Sequence, residues 1–261
     1  MIQLAQYRPK KEIITLAAST ARTPHVIDVH KQVRAKNLDA IDLKKKRPFK
    51  VHANYGDSAP IQQKLDINTW LPFASKHYDI SADIMDYIFV PVFIVISDLP
   101  NRNGIGFPRK SLIEFRPDFG VQAYKTAKGK CVFYEHANQD ITKSRGTIAD
   151  AFLRSLNGYQ GGLLKYNQLL AVDRTKDEEY TKRILTSEHN TYSMGAYVDE
   201  YSCSYCGAKL GQCNHIKKNR LDFYEKDGML VFKNVHGLTF FECSSVAVPA
   251  YAMAISDIIL Q

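Results

Sequence analysis

The sequence predicts an α+β fold made mainly of strands, preceded by a basic arm. Three observations carry that reading. From about residue 85 the chain alternates apolar, β-branched stretches with Gly, Pro and Asn turns. One segment begins with a helix-start pattern. The first fifty residues show no sustained periodicity and carry the whole net charge.

Taken in order, Tyr87–Ile96 reads as a buried strand and Asp98–Gly106 as a turn. Pro108–Phe115 is a short helix. Val121–Tyr124 and Cys131–Glu135 are strands on either side of the Lys128–Gly129 turn. Gly146–Leu153 fits strand or helix, and Leu163–Val172 is a strand after the Gly161–Gly162 break. Thr175 and Glu178 form a capping box, which starts a helix at Lys176 that runs to Glu188–Asn190. Thr191–Val198 alternates with period two, which puts Ser193 on the face opposite Tyr192 and Met194.

The chain of 261 residues is long enough for one core plus a small module. Residues 1–50 hold twelve Lys/Arg and four Asp/Glu, which accounts for the +8; the other 211 residues hold 23 of each sign. A folded nucleic-acid-binding domain would carry its charge on the body. A basic arm over residues 1–80 instead reads as a solvated tail, a propeptide-like region, or a tether to nucleic acid or an acidic protein surface. Lys44–Arg47 as a localisation signal is a weak motif. Residues 1–20 lack the apolar run of a secretory signal. The longest apolar run, Tyr87–Ile96, is half of what a membrane helix needs.

Five cysteines and no secretory signal argue against a disulfide framework. Cys203-x2-Cys206-Gly207 followed by Cys213-x-His215 offers three sulfurs and one nitrogen, the tetrahedral set that zinc prefers. With four protein ligands, such a zinc would be structural and would pin an insertion at about residues 200–218. A DNA-reading finger is the other reading of this module, but no recognition helix comes after His215.

Three residues suggest nucleophilic chemistry. Ser193 lies on a strand with Gly195 two positions on, a gap that would let a substrate backbone approach. His136 stands at a strand end, as a general base should. Glu242 places a carboxylate inside the apolar Phe240–Ala250 stretch, a costly position unless paired, for example with a histidine.

Several features taken together resemble the phage prohead core proteases, relatives of herpesvirus assemblin. They are Val90-Pro91-Val92, Pro100-Asn101-x-Asn103-Gly104, Tyr134-Glu135-His136, Leu170-x-Val172-Asp173, Ser193-Met194-Gly195, the Cys/His knuckle, and Phe241-Glu242-x-Ser-x-Val-x-x-Pro249-Ala250. The likeness covers roughly residues 85–256. It implies a mainly antiparallel β-barrel surrounded by helices, with a protease domain at 81–261. It implies a serine endopeptidase that cuts scaffold, core and capsid proteins, and itself, inside the assembling prohead in the host cytoplasm. Ser193 falls on the nucleophile, His136 on the base and Glu242 on the third member, with His236 and Asp199 as competitors for that role. Two other readings stand beside it: an inactive structural component of the prohead core, and a zinc-containing nucleic-acid-binding protein. No catalytic cofactor and no membrane are expected.

Overall fold

The computed structural model of the chain describes residues 13–15, 67–156, 162–216, 224–252 and 254–256. In chain order the elements are β1 (Ile13–Thr15), α1 (Ile67–Tyr78), β2 (Tyr87–Ile96), β3 (Ile105–Gly106), α2 (Arg109–Ile113), β4 (Phe115–Arg116), β5 (Val121–Gln122), β6 (Cys131–Tyr134), β7 (Gly146–Ser155), β8 (Leu164–Asp173), α3 (Glu178–Leu185), β9 (Tyr192–Tyr197), β10 (Glu200–Cys203), β11 (Tyr224–Lys226), β12 (Met229–Val231), β13 (Lys233–His236) and β14 (Thr239–Ser245). The fold is α+β and dominated by strands.

The main sheet runs β1-β9-β14-β6-β7-β8-β2. All its pairs are antiparallel except β14 with β6. It curls into a half-barrel, and the C-terminal Ala254–Ser256 segment spans the open side. Phe93 N–H donates to Ile255, while Tyr192 N–H donates to Ala254 and Ser256 N–H donates to Asn190. This closure gives backbone groups of β2 and of the start of β9 hydrogen-bond partners.

β2 is buried along its whole length, which explains why its sequence shows no alternation. One face carries the main core, including Ile88, Val90, Ile148, Leu170, Met194 and Phe240. The other packs Tyr87, Phe89, Phe133 and Ala171 against Trp70, Leu71, Ala74 and Tyr78 of α1. Helix α1 is therefore part of the body, and so is β1. Within the predicted 1–80 arm, α1 packs its apolar side on the sheet. The remainder of the predicted arm lies outside the described residues.

Three local expectations change. The start of α3 is capped by Asp177, whose carboxylate accepts from Tyr180 N–H at 2.9 Å. Thr175 instead donates its hydroxyl to Asp173 at 2.7 Å, so the expected capping box does not form. The helix ends at Leu185, and Ser187 turns the chain with φ +63°. The segment Gly146–Ser155 is a strand, and the Val121 strand is cut to two residues by a 3₁₀ turn over Ala123–Ala127.

Candidate functional site

Strand alternation decides which side chains meet. Tyr192, Met194 and Ala196 of β9 point into the main core, so Ser193 and Gly195 occupy the opposite face. The register sets Ser193 opposite Ser244 and Gly195 opposite Glu242. Directly opposed residues share a face, so Ser193, Gly195, Glu242 and Ser244 form one patch on the face that α1 partly covers.

His136 enters this patch from the end of β6. Glu135 N–H donates to Ser245 at 2.9 Å and continues the β6–β14 pairing. The Glu135 carboxylate then accepts from Ala247 N–H at 2.7 Å. Glu135 and His136 both take left-handed backbone conformations, φ +48° and +55°. Such positions cost about 1–3 kcal/mol each and cluster at functional sites. Here they turn the imidazole back over the sheet.

The result is a buried pair. His136 Nδ1 lies 2.9 Å from Glu242 Oε1, with side-chain exposures of 9% and 0%. Ser244 Oγ donates to the other carboxylate oxygen, Oε2. With Nδ1–H donating to Glu242, the neutral ring leaves Nε2 as an acceptor. That nitrogen is buried and makes no hydrogen bond among the described residues. Ser193 is 5% exposed. Its hydroxyl makes no hydrogen bond among the described residues, so His136 and Glu242 are joined while Ser193 and His136 are not.

Gly195 has a different use from the one expected. A Cβ there would meet the Phe241 ring and stand 2.6 Å from Glu242 Oε1. The glycine makes room for the buried carboxylate and not first for a substrate. Sequence reading also missed Ser244. Its signal was the Glu-x-Ser spacing on β14, which places both on the face of Ser193.

The competitors of Glu242 are engaged elsewhere. His236 lies on β13 of the β10-β13-β3 sheet. Its ring bridges Ser111 at 3.2 Å and Ser202 at 2.7 Å. Asp199 pairs with Arg116 at 2.9 Å. Arg174, which follows β8, donates to the Met85 carbonyl.

The cysteine cluster forms at the end of β10. Gly207 N–H donates to Cys203 at 2.8 Å and Cys203 N–H to Ala208 at 2.8 Å. Gly207 supplies the positive φ, +73°, that this tight knuckle needs. The ligand atoms of Cys203, Cys206, Cys213 and His215 all lie within 4.8 Å of one another. A tetrahedral zinc with Zn–S near 2.3 Å sets its sulfurs ~3.8 Å apart, so the set fits one ion. The Tyr205 ring meets the His215 ring edge-on at 4.7 Å, and Tyr205 Oη donates to Asp227 at 2.6 Å in the β11–β12 turn. These four residues can hold a metal ion with no ligand position left over.

No protein-family model, no curated protein and no solved structure matches this chain.

Proposed function

We propose that the protein is a serine endopeptidase with Ser193 as nucleophile, His136 as base and Glu242 as the residue that orients it. The observation that carries this reading is the buried His136–Glu242 hydrogen bond beside Ser193, with Nε2 left as a free acceptor. Burial of a carboxylate is costly without partners, and here both oxygens are bonded.

In this mechanism Ser193 Oγ attacks a carbonyl while Nε2 takes its proton. Glu242 fixes the tautomer and stabilises the imidazolium. The acyl-enzyme is then hydrolysed by water activated by the same ring. The Ser193–His136 hydrogen bond closes when substrate binds, as catalytic hydrogen bonds often do. Within the Ser244–Ala250 segment the oxyanion falls to N–H groups other than those of Val246 and Ala247, which Thr191 and Glu135 hold.

The same reading makes the fold assemblin-like. It makes the substrates scaffold, core and capsid proteins, with the chain itself among them, cut within a phage prohead in the host cytoplasm. It makes the ion at Cys203, Cys206, Cys213 and His215 a structural zinc. The curled, mainly antiparallel sheet supports this view.

The test uses a fluorophosphonate, which labels activated serines, together with scaffold and capsid proteins as substrates. Wild type takes up one label at Ser193 and cleaves them; Ser193→Ala does neither. Equal cleavage by the two proteins would overturn the assignment, and absence of cleavage by both would favour an inactive core component.

A further inference from the structure

Ser193 and His136 belong to strands that do not pair with each other. The sheet order places β14 between β9 and β6, so nucleophile and base are registered through β14. Glu242 holds the His136 ring at one atom, Nδ1. A single hydrogen bond leaves the ring free to tilt about it, so the backbone that carries the imidazole needs its own support.

The chain leaving β14 supplies that support. Val246, buried at 1% exposure, is gripped from both sides. At the start of β9, the Thr191 carbonyl accepts from Val246 N–H at 3.0 Å, and the Thr191 hydroxyl donates to the Val246 carbonyl. At the end of β6, Glu135 N–H donates to the Ser245 carbonyl at 2.9 Å, and the Glu135 carboxylate accepts from Ala247 N–H at 2.7 Å. Thr191 comes two residues before Ser193, and Glu135 comes immediately before His136. These bonds around Ser245–Ala247 join the two strand ends that carry the reacting groups. The β6 side holds backbone that would not stay in place alone. Glu135 and His136 both have positive φ, which persists only where the surroundings determine it. The Glu135 carboxylate contributes with a charge-assisted bond.

We propose that Glu135 and Thr191 are positioning residues, which grip Ser245–Ala247 from opposite sides and so set where the His136 ring stands relative to Ser193. Their effect on rate rests on the protease reading; the grip itself does not. Glu135 has to accept a hydrogen bond and need not carry charge, so glutamine replaces it and alanine does not. In the same way Thr191→Ser keeps the hydroxyl that Thr191→Val loses.

Wild type and these variants are compared by cleavage of scaffold and capsid proteins, by the rate of fluorophosphonate labelling, and by the proton NMR signal of the His136 Nδ1–H that bonds Glu242. Glu135→Ala lowers kcat about 30-fold with KM changed by less than about twofold, while Glu135→Gln stays within about threefold of wild type. Thr191→Val lowers kcat about tenfold and Thr191→Ser recovers it. The Nδ1–H signal is sharp in wild type and in the two conservative variants, and broadened by solvent exchange in Glu135→Ala. If Glu135→Ala keeps the rate and the signal of wild type, the grip positions nothing and the proposal falls. If Glu135→Gln is as slow as Glu135→Ala, the carboxylate acts by its charge, and the proposal falls as well. A wild type that neither labels nor cleaves sinks the protease reading, and the signal then decides the grip. Lost in Glu135→Ala and present in Glu135→Gln, it upholds the grip; unchanged in both, it overturns it. Should Glu135→Ala fail to fold, Thr191→Val against Thr191→Ser makes the same comparison.

Discussion

Glu242 shows how much one buried side chain depends on its neighbours. Its two oxygens are taken by His136 and Ser244, and Gly195 leaves the space it fills. Ser244→Ala removes one charge-assisted hydrogen bond, so kcat falls about tenfold or more, with Ser193 still slowly labelled. Gly195→Ala forces the carboxylate or Phe241 to move. The expected result is a loss of about 1–3 kcal/mol of stability, seen in urea melts. With it goes a fall in rate of ~100-fold, since a displaced third member misorients the base. If Gly195→Ala kept full activity, the carboxylate could not be setting the orientation of His136. The spacing of Glu242 and Ser244 was legible in the sequence, but the bond between them was not. Period two says which residues share a face; it does not say which strand lies alongside.

Among the elements, the small β10-β13-β3 sheet and the knuckle depend on side-chain ties. Removing the ion with a chelator, or making Cys206→Ser, should lower the melting temperature and loosen residues 203–216, because a metal that binds only the folded state stabilises it. Elemental analysis should find one zinc per chain in wild type. His236 ties α2, β10 and β13 through Ser111 and Ser202. Burial first, and Lys110 second, lower its pKa, against the opposing pull of Glu200 and Glu114. Below a pH of about 6.5 the unfolded imidazole gains a proton before the folded one does, so the unfolded state binds more protons there. Stability therefore falls with pH from that point down to the folded pKa and is unaffected above it. His189 is also lowered by burial and adds to the fall. His236→Asn should flatten the wild-type curve only in part, a difference measurable by thermal melts across pH. The start of α3 belongs to this scale as well. Thr175 and Glu178 had the right spacing for a cap, but Asp173 claims the Thr175 hydroxyl and Asp177 takes the cap. Spacing cannot rank two competent caps; the end of β8 does.

For the molecule as a whole, the decisive feature is that the sheet is covered on both faces. The α1 helix covers part of the face on which the site lies. Trp70 stacks edge-on against Tyr87 and Phe89, at 5.8 and 6.4 Å. Trp70→Ala should cost about 3–5 kcal/mol in denaturant unfolding, the usual value for a large buried aromatic. An effect below ~1 kcal/mol would mean that α1 is dispensable to the body. The same helix lies within the stretch that the sequence reads as an arm. The stretch before it, residues 51–66, is aperiodic, and only the sheet surface reveals what the apolar side of the helix is for.

The sequence by itself determined the strand-rich α+β class, β2 as a buried strand, the face on which Ser193 sits, and the four residues of the knuckle. Each comes from local periodicity or from close spacing of ligands, which physics reads within a few residues. The tertiary structure alone decided that Glu242, and neither His236 nor Asp199, meets His136. It alone decided that Gly195 exists to admit a carboxylate, that the C-terminal segment bridges the curled sheet, and that Ile13–Thr15 lies along the strand of Ser193. The reason is common to all four. Each is a contact between residues more than forty positions apart, fixed by strand order and register, and neither is written in any short stretch of the chain.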